Sequence, residues 1–162
     1  MNLNPALDVA IRQAGYLLFA FDGPIRSADD GKPADSTASP APYIYEVLAA
    51  CGESGRSAAV ISGDPLSDVR GYLDAHDLSS QITVVAHSIS EAASRLETSL
   101  ADCVFVTSSP ADIEAAHVAT TLAIGYAQTP GDADHLIEAG AIAFVYSMAD
   151  LALTLRARSF LS

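Results

Sequence analysis

The sequence predicts an α/β domain in which a parallel β-sheet carries helices on both faces. Short apolar segments alternate along the chain with segments that begin with helix-capping residues. The apolar segments are continuous rather than alternating with polar residues, which is typical of strands that are covered on both faces. Half of the 162 residues are hydrophobic, enough to build one core, so we expect a single domain over residues 1–162.

The first elements follow from a capping pair and an apolar run. Asn4 and Pro5 are typical of a helix start, and Gly15 ends that short helix. The segment YLLFAF then predicts a buried strand at residues 16–21. Residues 26–42 are rich in Ser, Asp, Ala and Pro, have little to bury, and predict a flexible polar loop.

After this loop, helices and strands alternate to the end of the chain. The predicted strands are AAVI (58–61), ITVVA (82–86), CVFVT (103–107), TLAIGY (121–126) and AIAFVY (141–146). Two helices are predicted between the loop and the strand at 82–86, one over residues 43–50 and one capped by Asp64-Pro65 that runs to His76. The next two begin at the capping patterns Ser88-x-x-Glu91 and Ser109-Pro110-x-Asp112. The last two cover residues 131–139, ending before Gly140, and the segment that begins near Met148.

A three-layer, Rossmann-like arrangement of this kind places its ligands beyond the carboxyl ends of the strands. The candidate site therefore lies in the loops that follow Phe21, Ile61, Ala86 and Thr107.

Composition excludes several classes of partner. The formal net charge of −12 repels nucleic acid backbones and anionic membrane surfaces, and it leaves cationic partners or neutral small molecules. The two cysteines, Cys51 and Cys103, have no zinc-type spacing and form no disulfide framework. No signal-peptide pattern and no membrane-spanning apolar run is present, so we expect an acidic, cytoplasmic protein.

Four segments carry a resemblance to a known family. They are LLFAFDGPI (17–25), AAVISGDP (58–65), CVFVTSSPADIEAA (103–116) and AIGYAQTPGDADHLIEAGAIAFVYSMADLA (123–152). In this order and spacing they resemble the haloacid dehalogenase (HAD)-like superfamily, and the similarity covers nearly the whole chain. The resemblance implies a HAD-like parallel sheet, and the family's commonest activity is magnesium-dependent phosphate hydrolysis. Many relatives insert a cap domain after the first strand. Here the loop at 26–42 stands in its place and is too short and too polar to fold as one, so we expect no cap domain and an open site.

The first motif of that family is Asp-x-Asp-Gly at the end of the first strand. The resemblance implies that the first Asp attacks phosphorus and binds magnesium, and that the second acts as the acid and base. In this sequence the motif reads Ala20-Phe21-Asp22-Gly23. Asp22 therefore matches the acid–base position, whereas Ala20, at the nucleophile position, has only a methyl group, which neither attacks phosphorus nor binds a metal ion.

Two of the remaining motifs are also incomplete. Ser62, followed by Gly63, matches the serine that binds phosphate in the family. The segment HSISEAASRLETSLA (87–101) contains no lysine for the charge-balancing position and only one basic residue, Arg95. In the fourth motif Asp112 matches the later acid, and Ser108 stands where the first acid is expected. The resemblance implies magnesium, but the remaining ligand set is thin, so we predict no metal ligands and no resident cofactor.

Each candidate residue also has a structural interpretation, and both stay open. Asp22 is an acid–base group or a turn residue before glycine. Ser62 binds an anion or caps a turn, and Asp112 binds a ligand or stabilises a helix N-terminus. His87, after the third predicted strand, transfers protons or is a surface histidine. Ser108 contacts a ligand or only precedes a helix cap.

Three functions are consistent with these residues. The first is a degenerate HAD-like protein that has lost magnesium-dependent phosphohydrolase activity and acts in binding, in regulation or as a subunit. The second is a repurposed metal-free enzyme that uses Asp22 for acid–base chemistry on a small metabolite. The third is a phosphatase with a non-standard nucleophile, Ser62 or Ser108. In each case we expect a small molecule or a protein partner at the open strand ends, with a homo-oligomer as a further possibility.

Overall fold

The computed structural model of this chain describes residues 5–27 and 39–157. These residues form a six-stranded parallel sheet with the strand order β3-β2-β1-β4-β5-β6. The predicted α/β architecture is confirmed, and the strand order is that of the doubly wound Rossmann-like folds. No cap domain is present among the described residues.

The helices and strands have the following bounds. The strands are β1 Tyr16–Ala20, β2 Ser57–Ile61, β3 Ile82–Ala86, β4 Cys103–Thr107, β5 Leu122–Tyr126 and β6 Ala143–Val145. The helices are α1 Pro5–Gln13, α2 Ile44–Glu53, α3 Leu66–Ala75, α4 Ile89–Arg95, α5 Pro110–Val118, α6 Pro130–Ala139 and α7 Met148–Ala157. No helix in the described part of the chain has the length and apolar character needed to cross a bilayer.

The sheet separates two hydrophobic clusters because successive strand side chains point to opposite faces. Leu17 and Phe19 of β1 pack on one face with α1, α2, α3 and α7. Leu18 and Ala20 pack on the other face with α4, α5 and α6. Both faces are therefore buried, which explains why the strands are continuously apolar in sequence.

Caps start several of the helices as their sequences predict. The Ser88 and Ser109 side chains accept hydrogen bonds from the backbone N–H groups of Glu91 and Asp112. The expectation that Asp64 caps α3 is wrong: Pro65 is the cap residue and no side chain caps this helix. The Asp64 carboxylate instead forms an ion pair with Arg26.

The predicted flexible loop at 26–42 lies partly outside the described residues, since residues 28–38 are not among them. Its two flanks are described, and they are joined by backbone hydrogen bonds. Ser27 N–H donates to Ser39 O over 2.9 Å, and Ala41 N–H donates to Ile25 O over 2.8 Å. These bonds hold the two ends of the loop together beside the end of β1.

Burial makes the Cys51 thiol inert in the folded protein. Desolvation raises its pKa from 9.0 to about 12, opposed in part by the Arg56 guanidinium. Because the folded-state pKa is the higher one, this contribution to stability is complete below pH 9 and is lost between about pH 9 and 12. We expect Cys51 to resist thiol reagents at pH 8 until the protein unfolds, and the free energy of unfolding to fall above pH 9.

The measurement is urea unfolding at pH 8 and pH 10.5, with Cys51→Ala as the matched variant. The alanine variant is expected to lose less stability between the two pH values than the wild type. Equal losses in the two proteins would show that Cys51 does not carry the effect.

Candidate functional site

The strand order reverses between β1 and β4, and this is where doubly wound sheets bind their ligands. In this chain Gly23 and Ser108 meet at that place. A Cβ atom placed on Gly23, whose φ is +101°, would overlap the Ser108 Oγ atom. The Ser108 Oγ atom is itself buried and has no hydrogen-bond partner among the described residues. The two residues are therefore in close contact at the place where folds of this kind bind their ligands.

Ala20 ends β1 at this edge and takes part in core packing. Its side chain is buried in the cluster that also contains Ala59 of the neighbouring strand β2 and Ala86 of β3. Its strand partner in β2 is Ile61. The end of β1 therefore carries at position 20 a methyl group that belongs to the hydrophobic core.

Beyond Ala20, the chain turns back on itself and brings Arg26 to the strand ends. The Arg26 N–H donates to Phe21 O, and the Gly23 N–H donates to Arg26 O, both over 2.8 Å. The Arg26 guanidinium then forms two ion pairs. Its Nε and Nη2 atoms each lie 2.7 Å from Asp22 Oδ1, and Nη2 lies 3.2 Å from Asp64 Oδ2.

The Arg26 side chain is more deeply buried than either of its acidic partners. It is 10% exposed, whereas the side chains of Asp22 and Asp64 are 54% and 47% exposed. Its guanidinium carbon lies 4.4 Å from the centre of the Phe21 ring and 5.9 Å from that of Tyr72, both within range of a cation–π interaction. The cation is thus held between aromatic rings and carboxylates.

This geometry corrects the expectation that the site has no compensating cation. The resemblance implies a charge-balancing residue between β3 and β4, and Arg95 is the only basic residue of that segment. The Arg95 Nη1 atom donates to the backbone oxygen of Val85 instead. The small and polar neighbours of Arg26 in the sequence predict that it belongs to the flexible loop at 26–42. Only the turn at Gly23 brings it back onto the ring of Phe21.

Ser62 and His87 lie side by side after β2 and β3. Ser62 Oγ accepts a hydrogen bond from the Asp64 N–H over 3.0 Å and so supports the turn into α3. The His87 Nδ1 atom lies 2.9 Å from Ser62 O, and because a carbonyl only accepts, Nδ1 carries the proton. His87 is exposed at the strand ends. Gly63 is exposed and has open space around its Cα.

The Asp112 carboxylate accepts a hydrogen bond that links the start of α5 to the end of β4. Thr107 Oγ1 donates to Asp112 Oδ2 over 2.8 Å, and the same Thr107 oxygen accepts from the Ser109 N–H. Thr107 is fully buried and is not among the site residues that the sequence predicts. Its position as the last residue of an apolar strand was the available signal, because a buried hydroxyl needs a partner.

A cavity of about 540 Å³ opens next to Arg26, between the end of β1 and helix α3. It is lined by Phe21, Arg26, Asp64, Ser67, Asp68, Gly71, Tyr72 and Ala75. Burial raises the pKa of Tyr72 to about 12, with partial opposition from Arg26, so the phenol is neutral at physiological pH. The cavity therefore offers aromatic surface and carboxylates around a single guanidinium.

The residues at the strand ends do not fit a magnesium ion. Magnesium prefers six oxygen ligands in octahedral geometry. Here Asp22 is ion-paired with Arg26, Asp112 accepts from Thr107, and Ala20 supplies no oxygen. Within residues 5–27 and 39–157, no group of three or more Asp, Glu, His or Cys side chains is placed to hold a metal ion.

No protein-family model and no curated protein matches this sequence. Solved structures do match. One is a HAD family hydrolase from Deinococcus radiodurans R1 with bound phosphate and sodium, at a TM-score of 0.74 and 15% identity over 93% of this chain and 100% of that one.

Two further structures agree with that match. L-2-haloacid dehalogenase from Xanthobacter autotrophicus, with chloropropionic acid covalently bound, matches at a TM-score of 0.72 and 11% identity over 88% of this chain and 98% of that one. A haloacid dehalogenase-like family protein from Streptococcus pneumoniae matches at 0.73 and 10% identity, over 87% and 98% of the two chains.

The class defined by the architecture is thus the HAD-like fold, and the predicted resemblance is confirmed at the level of fold. At identities of 10–15% these matches establish the fold alone. An activity has to be argued from the residues of the site.

Proposed function

We propose that this chain is a binding protein built on a HAD-like fold, without magnesium-dependent phosphohydrolase activity. The observation that carries the proposal is the buried Ala20 methyl group at the end of β1. Phosphoryl transfer through a covalent intermediate needs a nucleophile at the reacting centre, and a methyl group has no electron pair to donate. The contact between Gly23 and Ser108 supports the same conclusion, because it places a serine hydroxyl and no carboxylate beside the end of β1.

The two serines considered as substitute nucleophiles are poorly placed for that role. Ser108 Oγ is buried against Gly23. Ser62 Oγ accepts a hydrogen bond from a backbone N–H in the turn before α3, and Ser62 is only 8% exposed. Nucleophilic catalysis also requires a neighbouring base within hydrogen-bond reach, and neither hydroxyl donates a hydrogen bond to one among the described residues.

The cavity beside Arg26 supports the binding role. Its volume of about 540 Å³ lies within the range of small-molecule sites, and its wall combines aromatic rings with charged groups. We therefore propose that a small molecule or a side chain of a protein partner binds there. A homo-oligomer and a cytoplasmic location remain predictions from the sequence.

The test is hydrolysis of p-nitrophenyl phosphate by the wild-type protein in the presence of magnesium. We expect no turnover above that of the Asp22→Ala variant, because neither protein has a nucleophile at the end of β1. Magnesium-dependent turnover by the wild type that is lost in Asp22→Ala would overturn the proposal.

Acid–base catalysis by Asp22 remains the second candidate function. The exposed His87 side chain favours it, because it places a second group of the proton-transferring type at the strand ends, beside Ser62. The ion pair with Arg26 disfavours it, because the guanidinium already occupies the Asp22 carboxylate at 2.7 Å. An activity whose pH profile disappears in Asp22→Asn would establish this alternative.

A further inference from the structure

We infer that Arg26 is the resident cation of the strand-end site and that its guanidinium excludes divalent metal ions from the carboxylates of Asp22 and Asp64. The two acids follow adjacent parallel strands, β1 and β2, and Arg26 bridges them at 2.7 Å and 3.2 Å. A metal ion that used either carboxylate would lie beside the guanidinium that is already bound to the same group.

The Arg26 guanidinium is held in place by the backbone turn at its base and by the aromatic ring of Phe21. The backbone hydrogen bonds between Phe21, Gly23 and Arg26 fix the base of the side chain. The Phe21 ring lies 4.4 Å beneath the guanidinium carbon and is itself packed edge-on against Tyr72, with 5.3 Å between the ring centres. A side chain restrained in this way loses little further freedom when it forms its ion pairs, so the bridge is pre-organised.

Arg26 brings a cation to the site that has no electron pair for a metal ion. A guanidinium stays protonated well above physiological pH and cannot ligate a metal ion. It therefore offsets one of the two negative charges of the site permanently, and it repels an approaching divalent ion. Because the affinity of oxygen-ligand sites for such ions rises with the number of ligand charges, this repulsion weakens any metal site at the strand ends.

Two separate features weaken metal binding at the strand ends. The missing carboxylate at Ala20 removes a ligand, and Arg26 additionally supplies a competing cation. Restoring the carboxylate by Ala20→Asp is therefore insufficient for metal binding, and removal of the Arg26 charge is needed as well.

The experiment measures Mn²⁺ binding by electron paramagnetic resonance in the wild type and in the Ala20→Asp, Arg26→Met and Ala20→Asp/Arg26→Met variants. Methionine keeps much of the length and apolar contact of arginine and removes the charge. We expect the double variant to bind Mn²⁺ at least tenfold more tightly than Ala20→Asp. We also expect Arg26→Met to bind more tightly than Arg26→Lys, the matched control that keeps the charge.

Equal Mn²⁺ affinity in Ala20→Asp and the double variant would overturn the inference. Circular dichroism establishes that each variant is folded. If Asp at position 20 prevents folding, the comparison of Arg26→Met with Arg26→Lys decides alone, and equal affinities there would also overturn it. Because binding is measured without turnover, phosphatase activity of the wild type would overturn the proposed function and not this result.

Discussion

Replacement of Arg56 by leucine is expected to lower the free energy of unfolding by about 3 kcal/mol or more. Arg56 is only 4% exposed and contacts no carboxylate in the described part of the chain. Its Nε and Nη2 atoms donate to Ala14 O and Ile11 O at 2.8 Å and 2.9 Å, and Nη1 lies 3.5 Å from Leu155 O. The guanidinium thus donates hydrogen bonds to backbone carbonyl groups at the ends of α1 and α7.

The size of this effect follows from what leucine would leave behind. The last carbonyls of a helix have no partner from the regular helical pattern, and one that is buried without a hydrogen bond costs about 1–3 kcal/mol. Leucine would leave Ala14 O without the Arg56 donor, whereas Ile11 O would lose its charged donor but keep the hydrogen bond from the Ala14 N–H. A cation at a helix C-terminus also interacts favourably with the helix dipole. Desolvation lowers the pKa of Arg56, so these carbonyls stabilise a charge that has been removed from water.

Urea unfolding measures the loss, and Arg156 provides the matched control. Arg156 lies on α7 and forms an exposed ion pair with Glu53 at 3.1 Å. Exposed pairs contribute about 0–1 kcal/mol, so Arg156→Leu is expected to change stability by no more than that. Comparable losses in Arg56→Leu and Arg156→Leu would contradict the role assigned to Arg56.

Replacement of Phe21 by alanine is expected to lower the free energy of unfolding by about 3–5 kcal/mol and to release Arg26. Phe21 is 2% exposed, packs edge-on against Tyr72 and supports the guanidinium of Arg26. Loss of the ring opens a cavity in the core and removes the surface on which the cation rests. Urea unfolding reports the first effect, and the NMR resonance of the Arg26 Nε–H group, which donates to Asp22, reports the second.

Phe105→Ala separates the two effects. Phe105 is also 2% exposed, but it lies on β4 in the hydrophobic cluster on the other face of the sheet, which contains neither Arg26 nor Tyr72. We expect a similar loss of stability with little change in the Arg26 resonance. If both variants moved that resonance equally, the ring of Phe21 would have no specific part in placing the cation.

The fold was largely predictable because its signals are local. Apolar runs of four or five residues predicted β2, β3 and β4 within about one residue, and serine caps predicted the starts of α4 and α5. A capping side chain bonds to a backbone group three residues away, and a strand that is buried on both faces is apolar at every position. Neither signal needs knowledge of the rest of the chain.

The site was predictable only in part, because its decisive contacts join distant segments. Ala20 and Asp22 were found where an apolar run ends at an Asp-Gly pair. Arg26 was missed, since its partner Asp64 lies 38 residues further along the chain and was expected to cap a helix. The contact between Gly23 and Ser108 joins β1 to β4 and has no sequence signature either.

The amino-acid sequence by itself thus determined the layered sheet and the absence of a carboxylate at the end of β1, because burial patterns, caps and residue identity are properties of short segments. The tertiary structure alone decided that Arg26 supplies a cation to the exposed acids and that Ser108 closes against Gly23. Charges and atoms interact through space, and folding sets those distances by bringing separate strand ends together.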